Sequence, residues 1–334
     1  MAPTPAGSRP ASAVPGVVAE VADCLGGAVH LAYAQVSGLD VVVAGFSRYE
    51  ERTRSRAVAR AGALDELRRM PYGSEAGRGR ELRLADFMAG APEPVGAAVA
   101  GTGLVSGNRY RVPAEVVWLG ERETRVEPVM SGVVDLGVSE AIAEVVAHDV
   151  VARWWAAPGE QQLLRVSAQL DRLLPGGVMA AARGLGLRVS AFALAAPDVR
   201  AALVMVGGEG ATLGVAAGRT VRSAVGEAFL RAMAAKAQPW AGLSPADSLR
   251  RFAVWNHEAD YAAHLESLAV DAEPWLVDEP GDLRPSSWPE IAARRFGQEP
   301  VAVGSRRAEA VVKVVCPGAA CYGAAPARLP CPVP

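Results

Sequence analysis

Three alanine-rich stretches, at 57–70, 139–155 and 220–238, carry apolar residues at helical spacing, and each is entered from a glycine-bearing segment. Their inner parts read ALDELRR, AEVVAHD and AFLRAMAAKAQ. Alanine and leucine favour helix intrinsically, and in the first stretch residues 57, 61, 64 and 67 fall on one face. Pro71 and Gly73 end that helix, while Ser139 caps the second and Pro158-Gly159 stops it. Short apolar runs at 41–45, 116–119, 125–130, 187–194, 201–206 and 310–315 read as strands. Further helices are expected at 162–174, at 244–269 with Ser244 as cap and Pro245 at its first position, and at 289–296. Residues 89–110 and 272–289 read as loop. Helices alternating with strands place the chain in the α/β or α+β class. No break in composition divides it. Residues 1–16 read as a flexible leader and 17–334 as one domain, closed by a proline-rich tail at 320–334.

Several function classes are disfavoured. The 334 residues carry a formal net charge of −2, against a dedicated polyanion binder, so no nucleic-acid partner is expected. The longest uncharged stretch, 24–39, is too short and too polar to span a bilayer. No cationic segment followed by an apolar run marks a secretory signal, and four cysteines make no disulfide scaffold. A cytoplasmic protein with reduced thiols is the expectation. Only Lys236 and Lys313 are lysines among 34 basic residues, so arginine richness alone says little about phosphate binding.

The candidate chemistry is spread out. Gly207 to Gly214, GGEGATLG, follows a strand but matches neither GxGxxG nor a P-loop, and a plain turn is the simpler reading. Glu140, Glu144 and His148 share one helical face, open either to metal or acid–base work or to a solvated role. Asp65 and Arg69, four apart, form a surface ion pair at least. Cys316, Cys321 and Cys331 lack standard zinc spacing. The ending LPCPVP gives PxPxP, a stiff polyproline rod that could present its terminal carboxylate at low ordering cost.

Taken in order, several segments resemble the YcaO family, the ATP-dependent enzymes that activate peptide-backbone amides. They are SGLDVVVA (37–44), AVARAGALDELRRM (57–70), GNRYRVPAEVVWLG (107–120), SGVVDLGVSEAIAEVVAHDVVARWW (131–155), AFLRAMAAKAQ (228–238) and VVKVVCPGA (311–319), followed by the PxPxP end. The resemblance covers residue 36 onward. It implies a single YcaO-like α+β domain with mixed sheets, whose three alanine-rich helices converge on a pocket for ATP and Mg²⁺. In azoline-forming members, a Cys, Ser or Thr side chain of the peptide attacks the preceding carbonyl and ATP phosphorylates the resulting oxyanion.

Carried over residue by residue, the resemblance assigns Asp65, Arg69, Glu144, Arg231 and Gln238 to the nucleotide pocket. It assigns Asp65 and Glu144 to the metal, and Pro334 to a catalytic terminal carboxylate. The same alignment puts Arg68, Ala147 and Ala235 where family acids are expected, Gly132 in place of an asparagine, and Asp135 or Leu136 in place of a glutamate. Mg²⁺ needs several hard oxygen ligands, so these losses weaken a metal site. Two functions follow from the resemblance. One is a YcaO-type cyclodehydratase component in the biosynthesis of a ribosomally synthesised, post-translationally modified peptide. The other is a non-catalytic YcaO-like scaffold that docks on an active cyclodehydratase or binds the precursor peptide. Implied partners are the precursor peptide, a leader-peptide-binding protein or another YcaO protein, and a second copy in a homodimer.

Overall fold

Hairpin geometry organises the first described residues. In the computed structural model, which describes residues 17–70, 78–91, 97–119, 131–207, 211–238, 261–277, 286–304 and 310–322, strands β1 (Val18–Cys24), β2 (Val29–Val36) and β3 (Leu39–Phe46) form an antiparallel meander. The β1–β2 turn uses Gly26 and Gly27 at positive φ, and the β2–β3 turn uses Ser37 and Gly38. Alternation then sorts the faces. Ala32, Ala34, Val41 and Val43 join one apolar cluster, and Leu31, Val42 and Ala44 join another.

Helix α1 (Glu50–Arg69) lies across β2 and β3. It begins seven residues before the alanine-rich stretch, because Thr53 and Arg56 are buried in its first two turns. Thr53 sits over Gly45, where an added Cβ would meet its hydroxyl oxygen at 1.7 Å.

A second sheet has the order β13–β12–β5–β6–β4, built from β4 (Arg80–Glu81), β5 (Ala98–Gly103), β6 (Arg109–Pro113), β12 (Val301–Gly304) and β13 (Val311–Val315). Residues 89–110, expected as loop, therefore contain one strand and the start of another. Their glycines and alanines hide a β-hairpin whose turn is tied down by Glu299. The expected strand at 116–119 is instead the end of a 3₁₀ turn (Ala114–Val116) and the buried residues that follow it.

Helix α2 (Val138–Ala156) crosses the middle of the molecule and is buried along most of its length. After it come β7 (Leu164–Arg165), α3 (Leu170–Leu173), α4 (Val178–Gly184), β8 (Val189–Ala196), β9 (Val199–Val206) and β10 (Thr212–Gly218). The helix expected at 162–174 is thus broken, because Leu164 and Arg165 pair with β8. Asp198, at φ 64°, makes the β8–β9 turn.

Helix α5 (Val221–Ala237) starts at Thr220, whose side chain accepts the Ser223 N–H. It rides directly on β10: a Cβ on Gly214 would stand 1.9 Å from the Ala228 carbonyl oxygen. Of the helix expected at 244–269, residues 244–260 lie outside the described residues, and α6 (Tyr261–Leu268) is its end. Strand β11 (Val270–Asp271) closes a third sheet in the order β10–β9–β8–β7–β11, and α7 (Trp288–Phe296) carries a Ser287 capping box. The expected strand at 125–130 also lies outside the described residues. Among the described residues, no helix is long and apolar enough to cross a membrane.

Candidate functional site

The three alanine-rich helices converge through charge. Helix α1 brings Arg56 and Arg60, one turn apart. Helix α5 brings Glu227 and Arg231, also one turn apart. Helix α2 brings Glu144, and the turn before α2 brings Asp135. These six side chains alternate in sign, three guanidiniums against three carboxylates.

Their geometry is close-knit. Arg56 Nε donates to Asp135 Oδ2 at 2.6 Å, and Arg56 Nη2 lies 2.5 Å from Glu227 Oε1. Arg231 donates through Nη1 to Glu144 Oε1 at 2.8 Å and through Nε to Glu227 Oε1 at 3.4 Å. Arg60 Nη2 reaches Glu144 Oε1 at 3.4 Å, and its Nη1 lies 3.7 Å from Asp135 Oδ2. The second oxygens of Asp135 and Glu144 are also used. Glu144 Oε2 accepts the Gly132 N–H at 3.1 Å, and Asp135 Oδ1 accepts the Leu136 N–H at 2.7 Å. Gly132 can present that N–H because it stands at φ 82°, where a Cβ would meet the Val314 carbonyl oxygen at 2.2 Å.

Burial pushes the Glu144 carboxyl up, but Arg60, Arg231, His148 and the Gly132 N–H outweigh it and hold the group well below the usual carboxylate range. Asp135 is held low in the same way by Arg56 and Arg60 against its burial, and Glu227 by Arg56 and Arg231. All three acids are therefore ionised at neutral pH, and each is paired with two arginines. None of them is poised as a general base.

Lys313 lies beneath this network. Its side chain is fully buried on β13, with Nζ 3.5 Å from the Val117 carbonyl oxygen. Burial lowers its ammonium to about 7, against the opposing pull of Glu144 and Cys321.

The residues expected from sequence are divided by the fold. Glu144 and Arg231 meet directly. Asp65 and Arg69 pair with one another at 2.9 Å, and Arg69 also donates to the Ser37 hydroxyl. Asp65 lies five residues beyond Arg60, a rotation of about 140° around α1. Gln238 binds the backbone of β3, accepting the Val42 N–H at 3.1 Å and donating to the Asp40 carbonyl at 2.8 Å. Arg68 and Ala235 are exposed and Ala147 is fully buried. Glu140 lies 3.7 Å from Arg52 at the helix end. Pro334, with the rest of 323–334, lies outside the described residues, as does Cys331. Residues 208–210 of the GGEGATLG segment are likewise outside, and β10 begins just after them. Motif reading missed Arg56, Arg60, Glu227 and Lys313. The four-residue spacing of Arg56 with Arg60 and of Glu227 with Arg231 was the available signal.

This donor set does not fit Mg²⁺. The ion needs anionic oxygens free to enter its octahedral shell. Here the oxygens of Glu144 and Asp135 are spent on guanidiniums and backbone N–H groups, and the guanidiniums already balance the acids. Among the described residues, no three His, Cys, Asp or Glu side chains are arranged to hold a metal ion. A triphosphate fares no better, since Arg56, Arg60 and Arg231 are each committed to carboxylates. Freeing one partner of such a buried pair costs about 3–5 kcal/mol.

No protein-family model matches the chain, and no curated protein matches its sequence. Solved structures do match in fold. The YcaO protein from Methanopyrus kandleri, bound with AMPPCP and Mg²⁺, superposes with a TM-score of 0.62 at 18% identity, covering 91% of this chain and 86% of its own. A heterocyclase in complex with substrate and cofactor gives 0.63 at 14% identity, over 91% of this chain and 50% of that one. A chain of the E. coli microcin synthetase McbBCD complex gives 0.62 at 11% identity, over 95% and 90%. The chain has the YcaO fold.

Proposed function

We propose that this chain is a divergent YcaO-type component of a cytoplasmic assembly that modifies a ribosomally made peptide, and that it acts there without turning over Mg·ATP itself. The observation that carries the reading is the closed charge network. The helices that converge in this fold are present, but their carboxylates bind arginines of the same chain. Such a junction is a rigid strut between helices, suited to a subunit that supports a catalytic partner or holds the peptide. The McbBCD structures, one of which contains bound pro-MccB17, support partner and peptide binding as the relevant class of interaction.

Co-expression of the full chain with a catalytic YcaO protein and a precursor peptide of that protein tests this. A stable complex is expected, with ATP consumption that is abolished by inactivating the nucleotide site of the partner. ATP consumption by the isolated chain would overturn it. A second reading draws on the PxPxP ending. If the chain itself forms azolines with a leader-binding partner, deleting residues 330–334 must abolish heterocycle formation while the fold survives.

A further inference from the structure

We propose that the outer edge of β1 takes an extended, cation-bearing peptide segment as a fourth strand of the N-terminal sheet. This rests on the reading that the chain handles a peptide, and it names where and how.

The two edges of that sheet are treated differently. At β3, the Gln238 side chain bonds the strand backbone through both its oxygen and its nitrogen, in the manner of a neighbouring strand. At β1 no such cover is present among the described residues. Among the described residues, the backbone of Val18–Asp23 bonds to β2 alone, over an unbroken register from Val18↔Gln35 to Cys24↔Val29. Protein edges are ordinarily guarded by proline, charged side chains, a bulge or a covering element. The sequence VAEVADC contains no proline, glycine or lysine, its ladder contains no bulge, and its charges are the two acids Glu20 and Asp23. A seven-residue edge of this kind leaves roughly half its N–H and C=O groups pointing outward, about three or four of each.

The faces of β1 set the chemistry of the guest. Ala19 and Val21 pack on the core that α1 covers. On the other face the cover stops short: Leu31, Val42 and Ala44 are buried, but Val18, Glu20 and Ala22 are exposed, Val18 at 63%. Asp23, on the Ala19 and Val21 face by alternation, is bonded to His30 Nδ1 at 2.8 Å. Glu20 is thus the charge on this face available to a guest. A strand laid against β1 would bring a side chain within about 5 Å of it, where an opposite charge is favoured and a like charge is not. The guest is therefore an extended segment with lysine or arginine facing Glu20 and β-branched residues on the core side. Backbone pairing would supply affinity and the alternate side chains selectivity.

The test uses the full chain and a fluorescein-labelled octapeptide of alternating valine and threonine with one central lysine. Fluorescence anisotropy measures binding, and hydrogen-exchange mass spectrometry follows the Val18–Cys24 amides. Binding should slow exchange in β1 selectively. N-methylation of alternate peptide amides on the pairing edge should weaken binding at least tenfold. Glu20→Lys should shift the preference at least tenfold toward a glutamate-centred peptide. Four results would overturn the proposal: no added protection of β1 at millimolar peptide, equal affinity for the N-methylated peptide, outward-facing β1 amides already protected in the dilute free chain, or protection that rises with protein concentration alone. A second copy of the chain would give the last of these. Failure here leaves complex formation with a catalytic partner untouched, and absence of that complex leaves this result untouched.

Discussion

Arg231→Met probes the junction where its geometry is tightest. Arg231 joins α5 to α2 through Glu144 at 2.8 Å and braces Glu227 at 3.4 Å, with about 20% of its side chain and 6% of the Glu144 side chain exposed. Removing one partner of a buried pair costs about 3–5 kcal/mol, mostly from the charge left behind. Glu144 would keep Arg60 and the Gly132 N–H, and Glu227 would keep Arg56, so the lower end, about 3 kcal/mol, is expected. With an unfolding entropy of about 2.1 cal/mol/K per residue, about 3 kcal/mol should lower the melting temperature of this 334-residue chain by about 4 °C. Urea denaturation followed by tryptophan fluorescence reads the free energy. Arg231→Met/Glu144→Gln removes the stranded charge as well, so the pair should couple by at least about 1.5 kcal/mol in a double-mutant cycle. A loss under about 1 kcal/mol with additive effects would refute the reasoning. It would mean that the guanidinium and carboxylate are solvated and that the junction is open.

Further outcomes follow from single groups. Gly132→Ala must either push the Val314 carbonyl away or flip the turn that supports Glu144; a loss above about 2 kcal/mol is expected, and a near-neutral effect in urea would contradict the placement. Asp149 is fully buried and takes Arg153 at 2.9 Å, Arg295 at 2.7 Å and the Ala320 N–H at 2.7 Å, so Asp149→Ala should speed amide exchange at 320–322, and unchanged exchange there would count against it. Burial raises the Glu299 carboxyl, but hydrogen bonds from Ser106, Tyr110 and Val105 bring it down to about 2. Its stabilising contribution is therefore full above the ordinary carboxylate range and lost as pH falls toward 2, a dependence that Glu299→Gln should flatten. Lys313 has the same sense in a higher window: with its ammonium lowered to about 7 by burial, the unfolded chain binds the extra proton above that pH, so stability should rise between about pH 7 and 10 and Lys313→Met should remove the rise.

The alanine-rich helices were legible because their apolar period is clean, and the strands at 189–196 and 199–206 because they are almost wholly apolar. Residues 29–36 escaped notice, since VHLAYAQV mixes small and polar residues and its burial depends on α1 above it. In the helix expected at 162–174, Leu163, Val166, Leu170 and Leu173 have a spacing that suits a helix, although β8 claims the start of the stretch as a strand. At the site, Glu144 and Arg231 could be found because their helices align with the family's by motif. The α1 contribution could not, because the resemblance points to Asp65, Arg68 and Arg69, further along the helix than the Arg56 and Arg60 that reach the junction. Arg56 and Arg60 look like solvent-facing residues until the carboxylates of two other helices are set against them. Only tertiary placement supplies that information.

Isothermal titration of the full chain with AMPPCP, with and without Mg²⁺, bears most directly on the closed junction. Arginines that pair with Asp135, Glu144 and Glu227 leave the described residues of the junction with neither a metal shell nor an uncommitted cation for phosphate, so the expected result is no saturable binding below millimolar concentration and no response to Mg²⁺. Micromolar binding that depends on Mg²⁺ would contradict the account and return this chain to the nucleotide-using members of its fold.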